Sequence, residues 1–167
     1  EQNMKKWILI ILGLIGLDQA SKIIISTNLS EGESIPIIRN FFHLTYTRNT
    51  GMVFGGLPGA ATDYFWVFII FAIAASAIFG YMFYKSDFSD KRQTILRIAL
   101  ALLIAGSIGN AIDRIVQIDH AVIDFIDFLG IWSYIFNIAD TFLNVGIFLF
   151  FVDVFFLEKK RMEEKNG

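Results

Sequence analysis

The stretch YFWVFIIFAIAASAIFGYMFY, residues 64–84, carries no charge from end to end. A helix rises about 1.5 Å per residue, so about 20 apolar residues cross the roughly 30 Å hydrocarbon layer of a bilayer. A helix of a soluble domain would show a polar face, and this one is apolar all round. The stretch therefore predicts a transmembrane helix, and the rest of the chain can be read outward from it.

The composition agrees. Of 167 residues, 55% are hydrophobic and 18% charged, and Phe alone accounts for 18. That balance points to an integral membrane protein. The absence of Cys excludes disulfides, thiol nucleophiles and Cys-based metal sites. His43 and His120 are too few for a His-rich metal site, so no metal or cofactor is expected. The net charge of −2 says little, and no nucleic-acid partner is expected. Glu1-Gln2-Asn3 precedes Met4 and looks like a cloning remnant or processed tag, leaving residues 4–167 as one membrane domain.

Three further stretches are long enough to span: about 7–26, 94–116 and 134–157. The predicted fold is an all-α bundle of four transmembrane helices. Lys5 and Lys6, then Lys85, Lys91 and Arg92, then Lys159, Lys160, Arg161 and Lys165 all flank one side of the spans. The positive-inside rule puts both termini and the 85–93 loop in the cytoplasm. Segments 27–63 and 117–133 then lie outside. Within the first, FFHLTYT (41–47) alternates Phe42, Leu44 and Tyr46 against Phe41, His43 and Thr45, as a strand with one apolar face does. Pro36 and Gly51, Gly55, Gly56 and Gly59 punctuate it, so 27–63 is expected to be a small β-rich element on the outer surface. Segment 117–133 reads as an outer loop.

Ionisable groups inside spans are costly and need a reason. Asp18 and Lys22 fall in the outer half of the first span. Asn110, Asp113 and Arg114 fall at the outer end of the third, and Asn137, Asp140 and Asn144 near the outer start of the fourth. Three helices thus bring polar residues to one depth. Asp18 with Lys22, and Asp113 with Arg114, read as self-neutralising pairs. Asn137, Asp140 and Asn144 read as one helical stripe, with Asn144 serving helix packing. Gly106 and Gly109 would admit a close neighbour helix. Asp153 lies near the cytoplasmic end and reads as a structural acid. Asp140 has no cation one turn away, whereas the preceding loop offers Asp119, Asp124 and Asp127. Two neighbouring carboxyls cannot both ionise cheaply, so one keeps its proton. The ionised member can then draw a proton from water while the other polarises a carbonyl, which is the logic of aspartic peptide hydrolysis. His120 could reach Asp124 only if that piece were helical; a surface or headgroup contact is expected instead. The competing reading is a small proton-coupled carrier or binding protein that uses Asp140.

The blocks DQASK (18–22), RNTG (48–51), GNAIDR (109–114), VIDF (122–125) and FNIAD (136–140), in this order on four spans, resemble lipoprotein signal peptidase, or signal peptidase II. The resemblance covers nearly the whole chain. It implies a periplasmic β-cradle and a catalytic pair made of Asp124 and Asp140. It further implies support from Asp18, Lys22, Asn49, Gly51, Asn110, Asp113, Arg114 and Asn137. The implied partners are a diacylglyceryl-modified prolipoprotein, cut just before its lipidated Cys, membrane lipid, and inhibitors of the globomycin type. A monomer in the bacterial inner membrane is implied, with its site at the outer face. The chain departs from the family pattern at Met52 and Val53, where small residues are usual. It departs also at Ile135, where Pro is common, and at Thr141, where Ser is common.

Overall fold

The computed structural model describes residues 2–50, 65–158 and 161–163, and side chains from Met4 onward. Gly51, Met52 and Val53, the glycines at 55, 56 and 59, and the start of the second span at Tyr64 lie outside those residues. Four helices are long and apolar enough to cross a membrane. Helix α1 is Gln2–Asn28, α2 is Phe65–Lys85, α3 is Thr94–Val116, and α4 is Ile138–Val152. A π-helical turn, Asp153–Leu157, continues α4. Helix α1 takes in Gln2 and Asn3, which the sequence alone set aside as a remnant.

Helix α3 lies at the centre, and α1, α2 and α4 each pack against it. Its small residues are the cause: Ala99, Ala101, Ala105 and Ala111 are buried at the contacts. A methyl group added at Gly106 would stand 2.6 Å from the Ala139 carbonyl oxygen of α4. One added at Gly109 would stand 2.6 Å from Asp18 Oδ2 on α1. Backbones approach this closely only where side chains vanish, as in other membrane bundles. The outward faces of α1, α2 and α4 leave large apolar residues uncovered, among them Leu9, Ile23, Phe71, Phe148 and Phe156. Lipid tails are the solvent for such a surface. At the far end of α3, buried Arg97 donates to the carbonyls of Asp87 (2.5 Å) and Asp90 (3.1 Å), between the rings of Trp7 and Phe88.

At the opposite end stands a three-stranded antiparallel sheet in the order β1-β2-β3, with β1 Ser34–Ile38, β2 Phe42–Asn49 and β3 Val122–Phe128. Tyr46, Ile123 and Phe125 fix it to the end of α1 by packing on Ile25 and Leu29. The β-rich element is thus present, but segment 117–133 is more than a loop: it supplies the third strand. In VIDFIDF the two acids interrupt the apolar alternation that would have announced it. The fourth helix also starts later than expected, at Ile138 instead of Tyr134, because Asn137 caps it.

Replacing Gly106 with Ala forces a methyl onto a backbone oxygen that has no room to yield. The expected loss is about 1–3 kcal/mol, visible as a lowered unfolding temperature of the detergent-solubilised protein.

Candidate active site

Lys22 sets the frame. Its ammonium has three N–H donors and meets three acceptors: Asp18 Oδ2 at 2.9 Å, Asp113 Oδ2 at 3.1 Å and Asn110 Oδ1 at 3.0 Å. Lys22, Asp18 and Asp113 are all buried. Each acid then ties down another element. Asp18 Oδ1 accepts the N–H of Ala139 in the first turn of α4 (2.9 Å), where helix amides lack intrahelical partners. Asp113 Oδ2 accepts the N–H of Ile123 on β3 (3.0 Å).

The expected pairing of Asp113 with Arg114 is therefore corrected. Successive helical residues point about 100° apart and do not face each other; Asp113 turns to Lys22 instead. Arg114 donates to the Asn110 carbonyl (3.2 Å) and lies over the Phe68 ring. Among the described residues it forms no ion pair, and it lines the same cleft as Asp124 and Asp140. Gln19, which the sequence did not single out, donates to the Gly109 carbonyl (3.1 Å) and to Asp113 Oδ1 (3.0 Å). Its place beside Asp18 in DQASK was the available signal.

Asp124 and Asp140 converge on Asn137. Asn137 Nδ2 donates to Asp124 Oδ1 (2.7 Å), and its backbone N–H donates to Asp140 Oδ2 (3.2 Å). Asn137 Oδ1 accepts the Asp140 N–H (2.9 Å), closing a capping box at the start of α4. Asn110 Nδ2 donates to Asp140 Oδ1 (2.7 Å), and Asn49 Nδ2 to Asp124 Oδ2 (3.0 Å). Hence Asn137 is a cap rather than the first member of a helical stripe. Asn144 is exposed and donates to the Asp140 carbonyl of its own helix (2.9 Å), so it does not serve helix packing. His120 does not contact Asp124, since 122–128 is a strand. Its Nδ1 donates to the Arg114 carbonyl (2.7 Å) and its ring stacks on Phe65, in place of the expected surface contact.

Asp124 is 2% exposed. Burial, and secondarily the charge of Asp140, push its carboxyl up to about 7. Both acids face a cleft of about 730 Å³, together with Arg114, Asn49, Trp132 and Tyr134. The other two acids of segment 117–133 are spoken for: Asp119 is bound by Arg48, and Asp127 accepts from Thr45 (2.7 Å). A second cleft, of about 640 Å³, opens at the opposite end of the bundle. There Asp153 is paired with both terminal guanidinium nitrogens of Arg161, Nη1 and Nη2 (2.8 and 2.6 Å), in keeping with a structural acid.

Four membrane-length helices, a small sheet at one end and two buried carboxyls facing one cleft make a multi-pass membrane protein with a candidate acid pair. The chain belongs to the signal peptidase II family, whose model, described as signal peptidase (SPase) II, matches residues 10–156. It is 45% identical to the lipoprotein signal peptidase of Clostridioides difficile strain 630, over 92% of this chain and 97% of that one. It is 40% identical to the lipoprotein signal peptidase of Fusobacterium nucleatum, over 94% of this chain and 91% of that one. Among solved structures it resembles a bacterial membrane enzyme determined by the in meso method at 2.3 Å resolution. The TM-score is 0.76 at 32% identity, covering 93% of this chain and 90% of the other. Membership makes this protein a bacterial membrane peptide hydrolase that processes prolipoproteins.

Substituting Lys22 with Met would leave Asp18 and Asp113 buried without their cation. Removing one partner of a buried charge cluster costs about 3–5 kcal/mol. The variant is expected to lose its folded fraction in detergent, as read by thermal unfolding and size-exclusion profile.

Proposed function

We propose that Asp124 and Asp140 form the catalytic dyad of an aspartic endopeptidase that cuts a prolipoprotein just before its diacylglyceryl-modified Cys. The observation that carries this is the shared Asn137: one residue donates to both carboxyls and holds them in a single cleft. Two acids so placed keep one proton between them and titrate as a unit. The ionised carboxylate takes a proton from a water molecule, and the resulting hydroxide attacks the scissile carbonyl. The protonated partner hydrogen-bonds the carbonyl oxygen and stabilises the developing negative charge. The proton then returns to the departing amine, and the pair is regenerated.

The rest of the cleft fits that role. Asn110 and Asn49 each donate to one carboxyl and fix its plane. Arg114 supplies positive charge to the cleft without belonging to any ion pair among the described residues. Exposed Trp132 and Tyr134 on the rim are amphipathic side chains of the kind that settle at a membrane interface. With basic residues flanking the opposite end, this end is the outer face of the inner membrane, where a lipid-anchored substrate approaches sideways from the bilayer. Cyclic peptides of the globomycin type would compete for the same cleft.

Asp124→Asn and Asp140→Asn should each lower kcat on a diacylglyceryl-modified lipopeptide by at least about a thousandfold, with the unfolding temperature not lowered. Substantial cleavage by either purified variant would sink the assignment.

The pH dependence has a definite sign. Activity needs the shared proton, so it should decline as pH rises past about 7. In the unfolded chain Asp124 ionises near 3.8, and in the fold at about 7. Between those values the unfolded state has released a proton that the native state still holds. Stability therefore falls as pH rises through this window. Asp124→Asn removes that fall, so thermal unfolding of the variant should be flatter than that of the native chain from about pH 4 to 7.

A further inference from the structure

Strands β2 and β3 are not paired in one uniform register. Leu44 stands opposite Ile126, yet Thr47 stands opposite Asp124, so three residues of β2 advance against two of β3. The extra residue is a β-bulge, which re-aims the side chains that follow. Before it, Phe42 and Leu44 share a face with Ile126 and Asp124. After it, Thr47 and Asn49 take that face, opposite Asp124 and Val122, while Arg48 passes to the other side opposite Ile123. Without the bulge the alternation would continue through Tyr46 to Arg48, and Asn49 would point away from Asp124. A one-residue slip in a strand exchanges every side chain between faces.

Something must hold the shifted stretch, because Asn49 is the last residue of β2. On the far face Arg48 is engaged on every side. Its Nε donates to Asp119 Oδ2 (2.8 Å) and its Nη2 to Asp119 Oδ1, a two-pronged ion pair. Nη2 also donates to Gln117 Oε1 (3.1 Å), and Nη1 to the hydroxyl of Tyr46 (3.0 Å). Gln117 closes α3, and Asp119 lies in the turn that leads into β3. One guanidinium thus ties the end of β2 to the entrance of β3 just beyond the bulge. The hydrogen bonds from Arg48 hold the Asp119 carboxyl down at about 2, so the pair stays ionised through the working range.

We propose that Arg48 and Asp119 form a register lock, which positions Asn49 against Asp124. Neither residue touches the reacting atoms; both act through Asn49. The proposal rests on the dyad reading above and adds positioning residues to it. A two-pronged bond is needed because a single contact would allow rotation, and Lys, a point charge, cannot replace the fork.

The test uses the full-length chain in detergent micelles with a fluorogenic diacylglyceryl-modified lipopeptide, measuring kcat and KM from about pH 5 to 9. Asp119→Asn should lower kcat about tenfold and leave KM within about twofold. It should also move the alkaline limb to higher pH, since the ionised Asp124 loses the Asn49 donor. Asn49→Ala should reproduce that profile, and adding Asp119→Asn to it should change nothing more. Should Asp119→Asn fail to fold, Arg48→Lys carries the same comparison. Native kcat and pH profile in Asp119→Asn, or losses that multiply in the double variant, overturn the lock. Cleavage by Asp124→Asn or Asp140→Asn overturns the dyad instead, so the two failures are distinguishable.

Discussion

One ammonium group organises this molecule. Lys22 is buried, and each of its three protons is matched by an oxygen from α1 or α3. A buried cation is tolerable only when so fully satisfied. The consequence reaches beyond charge balance. Asp18 and Asp113, both bound to Lys22, are acceptors for an amide in the first turn of α4 and for the backbone of β3. Those are the two elements that carry Asp140 and Asp124. The proposed dyad is therefore positioned by acids that take no part in it, and these in turn depend on one lysine.

Glycine makes that arrangement possible. Asp18 can reach Ala139 only because Gly109 offers no side chain where the carboxylate passes. Gly106 admits the carbonyl of Ala139 in the same way. Close packing and buried polarity, usually in opposition, support each other here. The backbone comes near enough for a carboxylate on one helix to satisfy an amide on another.

Much of this was legible beforehand. Length and hydropathy are sufficient to find four spans, because a bilayer imposes a fixed thickness on any chain that crosses it. Rise per residue placed Asp18, Asn110 and Asp140 at one depth; Asn110 and Asp140 do line one cleft, while Asp18 is fully buried against Lys22. Other features escaped. The Asp113–Arg114 pairing failed because adjacency in sequence is not adjacency on a helix. Strand β3 was hidden because its two acids, Asp124 and Asp127, break the alternation by which strands are found. Asn137 looked like a helical residue, whereas its side chain closes the first turn from outside. The roles of Arg48 and Asp119 were invisible for a different reason. Their meaning comes from a bulge, and no local pattern in FHLTYTRN announces where a register shifts.

Asn137 carries a constraint on substitution. Ser, Thr and Asp are ordinarily interchangeable with Asn at a helix cap, since each offers an oxygen to the first-turn amides. Here the cap must also donate a hydrogen bond to Asp124 from the same side chain. Asp has no such hydrogen when ionised, and a hydroxyl is too short to face both directions at once. The usual freedom of a cap position is thereby reduced to one amino acid. What looks like a generic requirement of secondary structure has become, at this point in the chain, a chemical one.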